Sequence, residues 1–382
     1  MLLIYLLLVL GWTAFTATAL IVKRGSTRTF LLRFSYVVLI LFFAEAACII
    51  GFYLMNHRWT FNDQSEYVRT LFEAHPYLIG AGKPNAHVTH QGVTYTHNIQ
   101  GFRGKDFPAK TTKLRVVTIG GSTTYGIGVN DDETWPAQLE HGLGEKYEVL
   151  NMGIPGHSTA EHINMLSLIV PQYSPDILVM NVGLNDLRNI HVKNLAPDYS
   201  DYHAPTFSSA LGLCSDGMLE RFACGKLVVW SLQRLWVFPR CILRRHPLEE
   251  DSSPQAEQVA MQVYRRNLET LIAIAKNKEL KPILVPQVLV KERFQGGRLK
   301  WWIPFVEDDQ LIGYLNQYNA VTEDVARHEG VYFAAQILQQ PWTKDDFADP
   351  SHLSAGGNRK FASELQKIIF SLEERNYRTR SN

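Results

Sequence analysis

Cysteine is scarce: Cys48, Cys214, Cys224 and Cys241 are the only four among 382 residues. They form no CxxC pair and no zinc-like spacing, which excludes a structural zinc module and a dithiol redox motif. Excess charge of one sign is also missing, with 38 basic residues against 37 acidic ones and a formal net charge of +1. No global field exists to draw nucleic acid, so that class of partner is set aside. His87, His90 and His97 lie close together. They have no carboxylate or cysteine cluster beside them, and the ligand types argue against a metal site.

Charge is absent altogether from Met1 to Val22, and a second apolar run covers Ser35 to Met55. Each is near the ~20 residues a helix needs to cross a bilayer. The intervening residues 23–34 carry Lys23, Arg24, Arg28 and Arg33 and no acid, and the positive-inside rule places that loop in the cytoplasm. The expectation is a two-helix transmembrane hairpin over residues 1–55, with helices at 1–22 and 35–55. Everything after Met55 then lies outside, giving a multi-pass inner or plasma membrane protein with a periplasmic or extracellular main domain. Ala17-Thr18-Ala19 resembles a signal-peptide cleavage site. No basic stretch precedes the apolar run, however, and cleavage would leave four basic residues outside.

Glu45 falls mid-span, where a charge costs roughly 2.5–3.5 kcal/mol on insertion scales. It is expected to be protonated or hydrogen-bonded to Thr13, Thr16 or Thr18. In an oxidising space Cys214 and Cys224 could close a short loop and leave Cys241 over; equally, the three are ordinary thiols.

Residues 56–113 read as a lead-in segment, and the main domain is expected over 114–375, followed by a tail at 376–382. Short β-branched runs at 115–119, 147–152, 176–182, 282–290 and 331–334 alternate with helical stretches near 159–169, 255–276, 308–328 and 354–372. That alternation predicts a parallel sheet covered on both faces. Pro286 should end the fourth strand early. Between about 188 and 253 the alternation fails, and the stretch reads as a cap-like insertion. Its Trp230, Leu232, Leu235, Trp236 and Phe238 could line a pocket, lean on the bilayer or simply bury the insertion.

In such folds reactive groups gather at the carboxyl ends of the strands. Gly120-Gly121-Ser122 follows the first strand, the run NMGIPGHST the second, and GLND the third, while DPSHLSAGG precedes the last helix. A serine nucleophile needs a base within reach and a third group to orient that base. Ser122 is the candidate nucleophile, His352 the base and Asp349 the orienting acid. The Ser122 N–H, the Gly156 N–H and the Asn185 amide are candidates for a three-donor oxyanion hole. Ser354 is a plausible N-cap for the last helix.

These four blocks resemble the SGNH (GDSL-like) hydrolase superfamily from about Asn98 to Leu372, excluding the insertion. The stretch GFRGKDF upstream is similar to that of membrane-anchored bacterial members. One departure is Gly121, where many members carry Asp. The resemblance implies a flavodoxin-like three-layer α/β/α fold and an acyl-serine mechanism that needs no metal or other cofactor. It implies a serine esterase removing an O-acyl group, O-acetyl above all, from an extracytoplasmic glycan or similar ester. The alternatives are an acyltransferase that passes the acyl group to a sugar hydroxyl, a lipid esterase, and a non-catalytic glycan-binding protein.

Overall fold

The computed structural model describes residues 2–22, 25–56, 66–73, 75–199, 222–225, 227–228, 249–293, 303 and 305–380. The chain divides into two compact units, residues 1–65 with 208–241 and residues 66–207 with 242–382.

The first unit holds helices α1 (Leu2–Ile21) and α2 (Ser26–Asn56). They pair through Trp12, whose indole N–H donates to the Ser35 carbonyl at 3.1 Å, and through the Thr16 and Ser35 hydroxyls 2.6 Å apart. The second helix starts well before the apolar run does. Arg28 and Arg33 therefore sit on helix, and no loop extends from 23 to 34; Lys23 and Arg24 lie outside the described residues. Continuing the helix satisfies backbone groups that an extended linker would leave to solvent.

Among the described residues, one stretch, Ser26–Gly51, is long and apolar enough to cross a membrane. By that criterion the described residues support the second of the two expected spans. Phe30, Leu41 and Phe43 on it are each more than 60% exposed, unlike the buried helix of a soluble core.

Glu45 is buried, and its carboxylate accepts the backbone N–H groups of Ala223 at 2.5 Å and Cys224 at 2.7 Å. Of the threonines expected beside it, Thr16 pairs with Ser35 and Thr18 with the Ala14 carbonyl. The Cys224 Sγ lies 3.0 Å from the Cys48 Sγ. Cys214, Cys241 and the aromatic residues named in the insertion lie outside the described residues.

The second unit opens with α3 (Glu66–Leu71), a two-stranded pair of β1 (Phe72–Glu73) and β2 (Ala81–Gly82), and a hairpin of β3 (His87–His90) and β4 (Val93–Thr96). Next come β5 (Leu114–Gly120), α4 (Ser122–Tyr125), α5 (Trp135–Leu143), β6 (Tyr147–Asn151), α6 (Thr159–Leu168) and β7 (Ile177–Asn181). Then follow α7 (Pro254–Asn277), β8 (Lys281–Leu284), α8 (Asp308–Glu329), β9 (Tyr332–Phe333) and α9 (Ala355–Arg380). Strands β5 to β9 form a parallel sheet in the order β6-β5-β7-β8-β9.

Every residue of β6 and β7 is buried, as expected of strands covered on both faces. Alternate side chains supply two separate cores. Val116, Val149, Val179 and Ile283 pack with α5 and α9, while Val117, Leu150, Leu178 and Leu284 pack with α6, α7 and α8. The result is three layers, α/β/α. Strand β8 stops at Leu284, short of Pro286, because proline has no N–H to extend the ladder.

The connection β5 to β6 runs to one side of β5, and the next crosses to β7 on the other. That reversal opens a crevice at the carboxyl ends of β5 and β7. The insertion enters and leaves through a bridge between Val192 and Glu250, and the Asp251 N–H donates to the His191 carbonyl at 2.8 Å. Leu195 and Tyr199, before that insertion, are buried in the core, so residues 188–199 belong to the domain body.

The lead-in clamps the turn after Ser122. Arg103, from the GFRG stretch, is buried and ion-paired with Asp131 at 2.8 Å. It donates to the carbonyls of Tyr125, Gly126 and Val129. Its guanidinium also lies over the rings of Tyr95 and Tyr125, at 4.3 and 5.0 Å, a cation–π arrangement. His97 is spent in the same place, its Nε2 lying 2.8 Å from the Tyr125 hydroxyl, and burial lowers its pKa to about 4.

Candidate active site

Ser122 stands at the first position of α4, directly after β5 ends at Gly120. The strand-to-helix turn is tight. A Cβ at Gly120 would lie 2.6 Å from the Asn181 carbonyl oxygen, and one at Gly121 would lie 2.4 Å from the Asn185 Nδ2. Only glycine fits both positions without displacing a neighbour.

His352 arrives from the loop before α9. Ser354 holds that helix start, its hydroxyl accepting the Gly357 N–H at 3.2 Å. The loop is tied to the serine turn by the Thr123 hydroxyl, which donates to the Ser351 carbonyl at 3.3 Å.

Ser122, His352 and Asp349 form an unbroken chain. The Ser122 Oγ lies 2.8 Å from the His352 Nε2, and the His352 Nδ1 lies 2.6 Å from the Asp349 Oδ2. The other Asp349 oxygen accepts the backbone N–H groups of Ser351 at 2.9 Å and His352 at 2.8 Å. Partial burial pushes the Asp349 pKa up. The His352 hydrogen bond and charge, with the two N–H donors, more than reverse this and hold it at about 2. An ionised Asp349 can only accept, so the His352 Nδ1 carries the proton and Nε2 offers its lone pair to the serine hydroxyl.

Asn185 lines a narrow pocket beside Ser122, with Gly121, Thr123, His157, Gly183 and Gln287 among its walls. Its amide donates to the His157 carbonyl at 2.9 Å, which employs one of its two hydrogens. Gly156 faces a second cleft that shares Asn185 with the first. It adopts a φ of +83°, a left-handed conformation suited to glycine. Neither the Ser122 nor the Gly156 N–H is used by a backbone carbonyl among the described residues.

Sequence reasoning quoted Asp186 without giving it a task. It is fully buried and accepts the backbone N–H of Thr159 at 3.2 Å, the Thr159 hydroxyl, and the Tyr199 hydroxyl at 3.1 Å. It thereby fastens the Asn185 turn to the start of α6. Burial raises its pKa to about 6 against those hydrogen bonds. Its position next to Asn185 was the available signal; the partner Tyr199 lay within a stretch assigned to the insertion.

Residues 118–360, more than half of the chain, match the model of the GDSL-like Lipase/Acylhydrolase family. An arylesterase from Vibrio mimicus is 26% identical over 81 residues, which is 20% of this chain; the chain spans only 40% of that relative's length. Among solved structures, a lipase/acylhydrolase from Enterococcus faecalis is similar at 16% identity and a TM-score of 0.39, covering 67% of this chain and 95% of that one. A catalytic mutant of an acetylxylan esterase from Geobacillus stearothermophilus is similar at 15% identity and a TM-score of 0.39, covering 69% and 96%.

Proposed function

The chain belongs to the GDSL-like lipase/acylhydrolase family, and from that premise we propose that it is a membrane-anchored serine esterase that removes a short O-acyl group from an extracytoplasmic glycan. The carrying observation is the hydrogen-bonded chain from the Ser122 Oγ through His352 to Asp349.

In this reading Ser122 attacks the ester carbonyl while the His352 Nε2 takes its proton. Asp349 holds the imidazole tautomer and stabilises the imidazolium that forms. The developing oxyanion rests on the Ser122 N–H, the Gly156 N–H and the second Asn185 amide hydrogen. Losing one such donor typically costs about 2.7–4 kcal/mol of transition-state stabilisation. His352 then protonates the leaving alcohol. Water, activated by the same imidazole, releases the acyl group from Ser122.

The narrow pocket beside Ser122, walled by Gly121, His157, Asn185 and Gln287, supports a short acyl group over a long one. The exposed apolar face of Ser26–Gly51 supports anchoring. The basic residues near its start support an outward-facing domain.

Detergent-solubilised full-length protein treated with a fluorophosphonate probe should label, and Ser122→Ala should not. An unlabelled wild type, or a labelled Ser122→Ala variant, would sink the nucleophile. Rates on aryl esters should fall beyond acetyl; a rise with chain length would point to lipid. Acyl groups appearing on an added oligosaccharide would make the enzyme a transferase. A reporter fused after His57 should be active only outside the cytoplasm.

A further inference from the structure

Glu45 stands inside the apolar stretch Ser26–Gly51, six residues before its end. At ~1.5 Å per residue it lies ~9 Å in from that end. Leu41, Phe43 and Ile50 near it are each more than half exposed, whereas Glu45 is 7% exposed. Its carboxylate accepts the N–H groups of Ala223 at 2.5 Å and Cys224 at 2.7 Å, from a segment of the insertion in the same compact unit. The Cys224 Sγ reaches Cys48, one turn further along α2, at 3.0 Å. We propose that residues 222–228 of the insertion are embedded in the outer leaflet of the bilayer, with lipid acyl chains as their partner and Glu45 as the residue that seats them. The proposal rests on the anchoring reading above and extends it to the insertion.

In hydrocarbon no water is present to pair with a backbone N–H, so one held at that depth must be satisfied by the protein. Residues 223–225 and 227–228 are helical, and the first N–H groups of a helix have no partner within it. Glu45 supplies the acceptor for two of them. The need is mutual, because a carboxylate at that depth is costly unless it is hydrogen-bonded. A mid-span acid and a helix start thus satisfy each other where neither would be stable alone.

The side chains of the segment divide in the same way. Ala223, beside Glu45, is buried, while Val228 is 54% exposed. One face therefore meets protein, and the other carries an apolar side chain that lipid would cover. The single charge in the segment is Lys226, a residue type whose long stem carries its ammonium to the interface from such a depth. The positive-inside reading puts the Gly51 end of α2 on the outer side, where it also puts the main domain. The catalytic domain is then joined to the membrane at two places in its chain, after α2 and through the insertion.

The test uses the full-length protein in phosphatidylcholine–phosphatidylglycerol liposomes, with its four cysteines replaced by serine. Val228→Cys or Phe43→Cys then carries a single environment-sensitive fluorophore, both at exposed positions. Lipids bearing a nitroxide on the acyl chain should quench the fluorophore at both positions, and iodide in the water should leave both bright. Quenching by nitroxide at 43 with quenching by iodide alone at 228 would overturn the embedding and leave the anchor standing. Quenching by iodide alone at both positions would overturn the anchor, and the embedding with it. Adding Glu45→Ala should raise iodide quenching at 228 several-fold and leave 43 unchanged; an unmoved 228 would remove Glu45 as the seat. Fluorophosphonate labelling of Ser122 reports whether each variant has a folded catalytic domain. Should Glu45→Ala fail to label, Glu45→Gln, which keeps one acceptor oxygen, should give a smaller rise at 228, and no rise would overturn the role of Glu45.

Discussion

A Cβ placed on Gly121 would lie 2.4 Å from the Asn185 Nδ2, so the residue before the proposed nucleophile and the proposed side-chain oxyanion donor compete for one space. The Asn185 Nδ2 is the far end of a side chain, so a side chain at position 121 would displace that amide.

Gly121→Ala should therefore push the Asn185 amide away from the developing oxyanion while the sheet stays folded. The expected result is a fall in kcat of about 10²–10³, the usual effect of one lost donor, with little change in Tm. Gly121→Asp should fall at least as far. Retention of wild-type kcat by Gly121→Ala would show that Asn185 can move without consequence and would remove it from the oxyanion hole.

Two buried or partly buried aspartates should affect stability in opposite directions with pH. Asp349 is held at about 2, below its ordinary 3.8, so its contribution is present above pH 3.8 and is lost as pH falls towards 2. Asp186 is raised from 3.8 to about 6, so its contribution is present below pH 3.8 and is lost as pH rises through 6. Thermal unfolding should show the Tm advantage of wild type over Asp349→Asn steady at neutral pH and shrinking below pH 4. The advantage over Asp186→Asn should be larger at pH 4 than at pH 7. A pH-independent difference for Asp186→Asn would contradict the burial of an ionisable carboxyl beside Thr159 and Tyr199.

The Cys48 and Cys224 sulfurs lie 3.0 Å apart, beside a Glu45 carboxylate that accepts two backbone N–H groups of the same segment. Mild oxidation of the full-length protein with copper phenanthroline should yield a Cys48–Cys224 cross-linked peptide by mass spectrometry. Glu45→Ala removes the acceptor of both N–H groups and should lower the yield several-fold. A Cys214–Cys224 peptide in place of Cys48–Cys224 would contradict the arrangement.

Much of the fold was legible because its signals are local. Strand β6 (Tyr147–Asn151) and strand β7 (Ile177–Asn181) are short apolar runs bounded by polar turns, and Pro286 terminates β8 through a missing N–H. Helix α2 begins at Ser26, ahead of the apolar run, because the helix continues through Arg28 and Arg33, basic residues that read as loop in the sequence. Tyr199 was assigned to the insertion because its partner Asp186 is hydrogen-bonded to it across a loop whose path periodicity does not reveal.

By itself the sequence singled out the candidate reactive groups, since each follows a strand end or precedes a helix that composition alone can mark. It determined the apolar N-terminal stretch and the alternation that builds the parallel sheet. Tertiary structure decided what those residues meet. It placed His352 2.8 Å from Ser122 across 230 positions of chain, set Gly121 against the Asn185 amide, and used Arg103 to clamp the turn after the serine. Such relations depend on distances between segments far apart in the chain, and those distances are set by how the layers pack around the sheet.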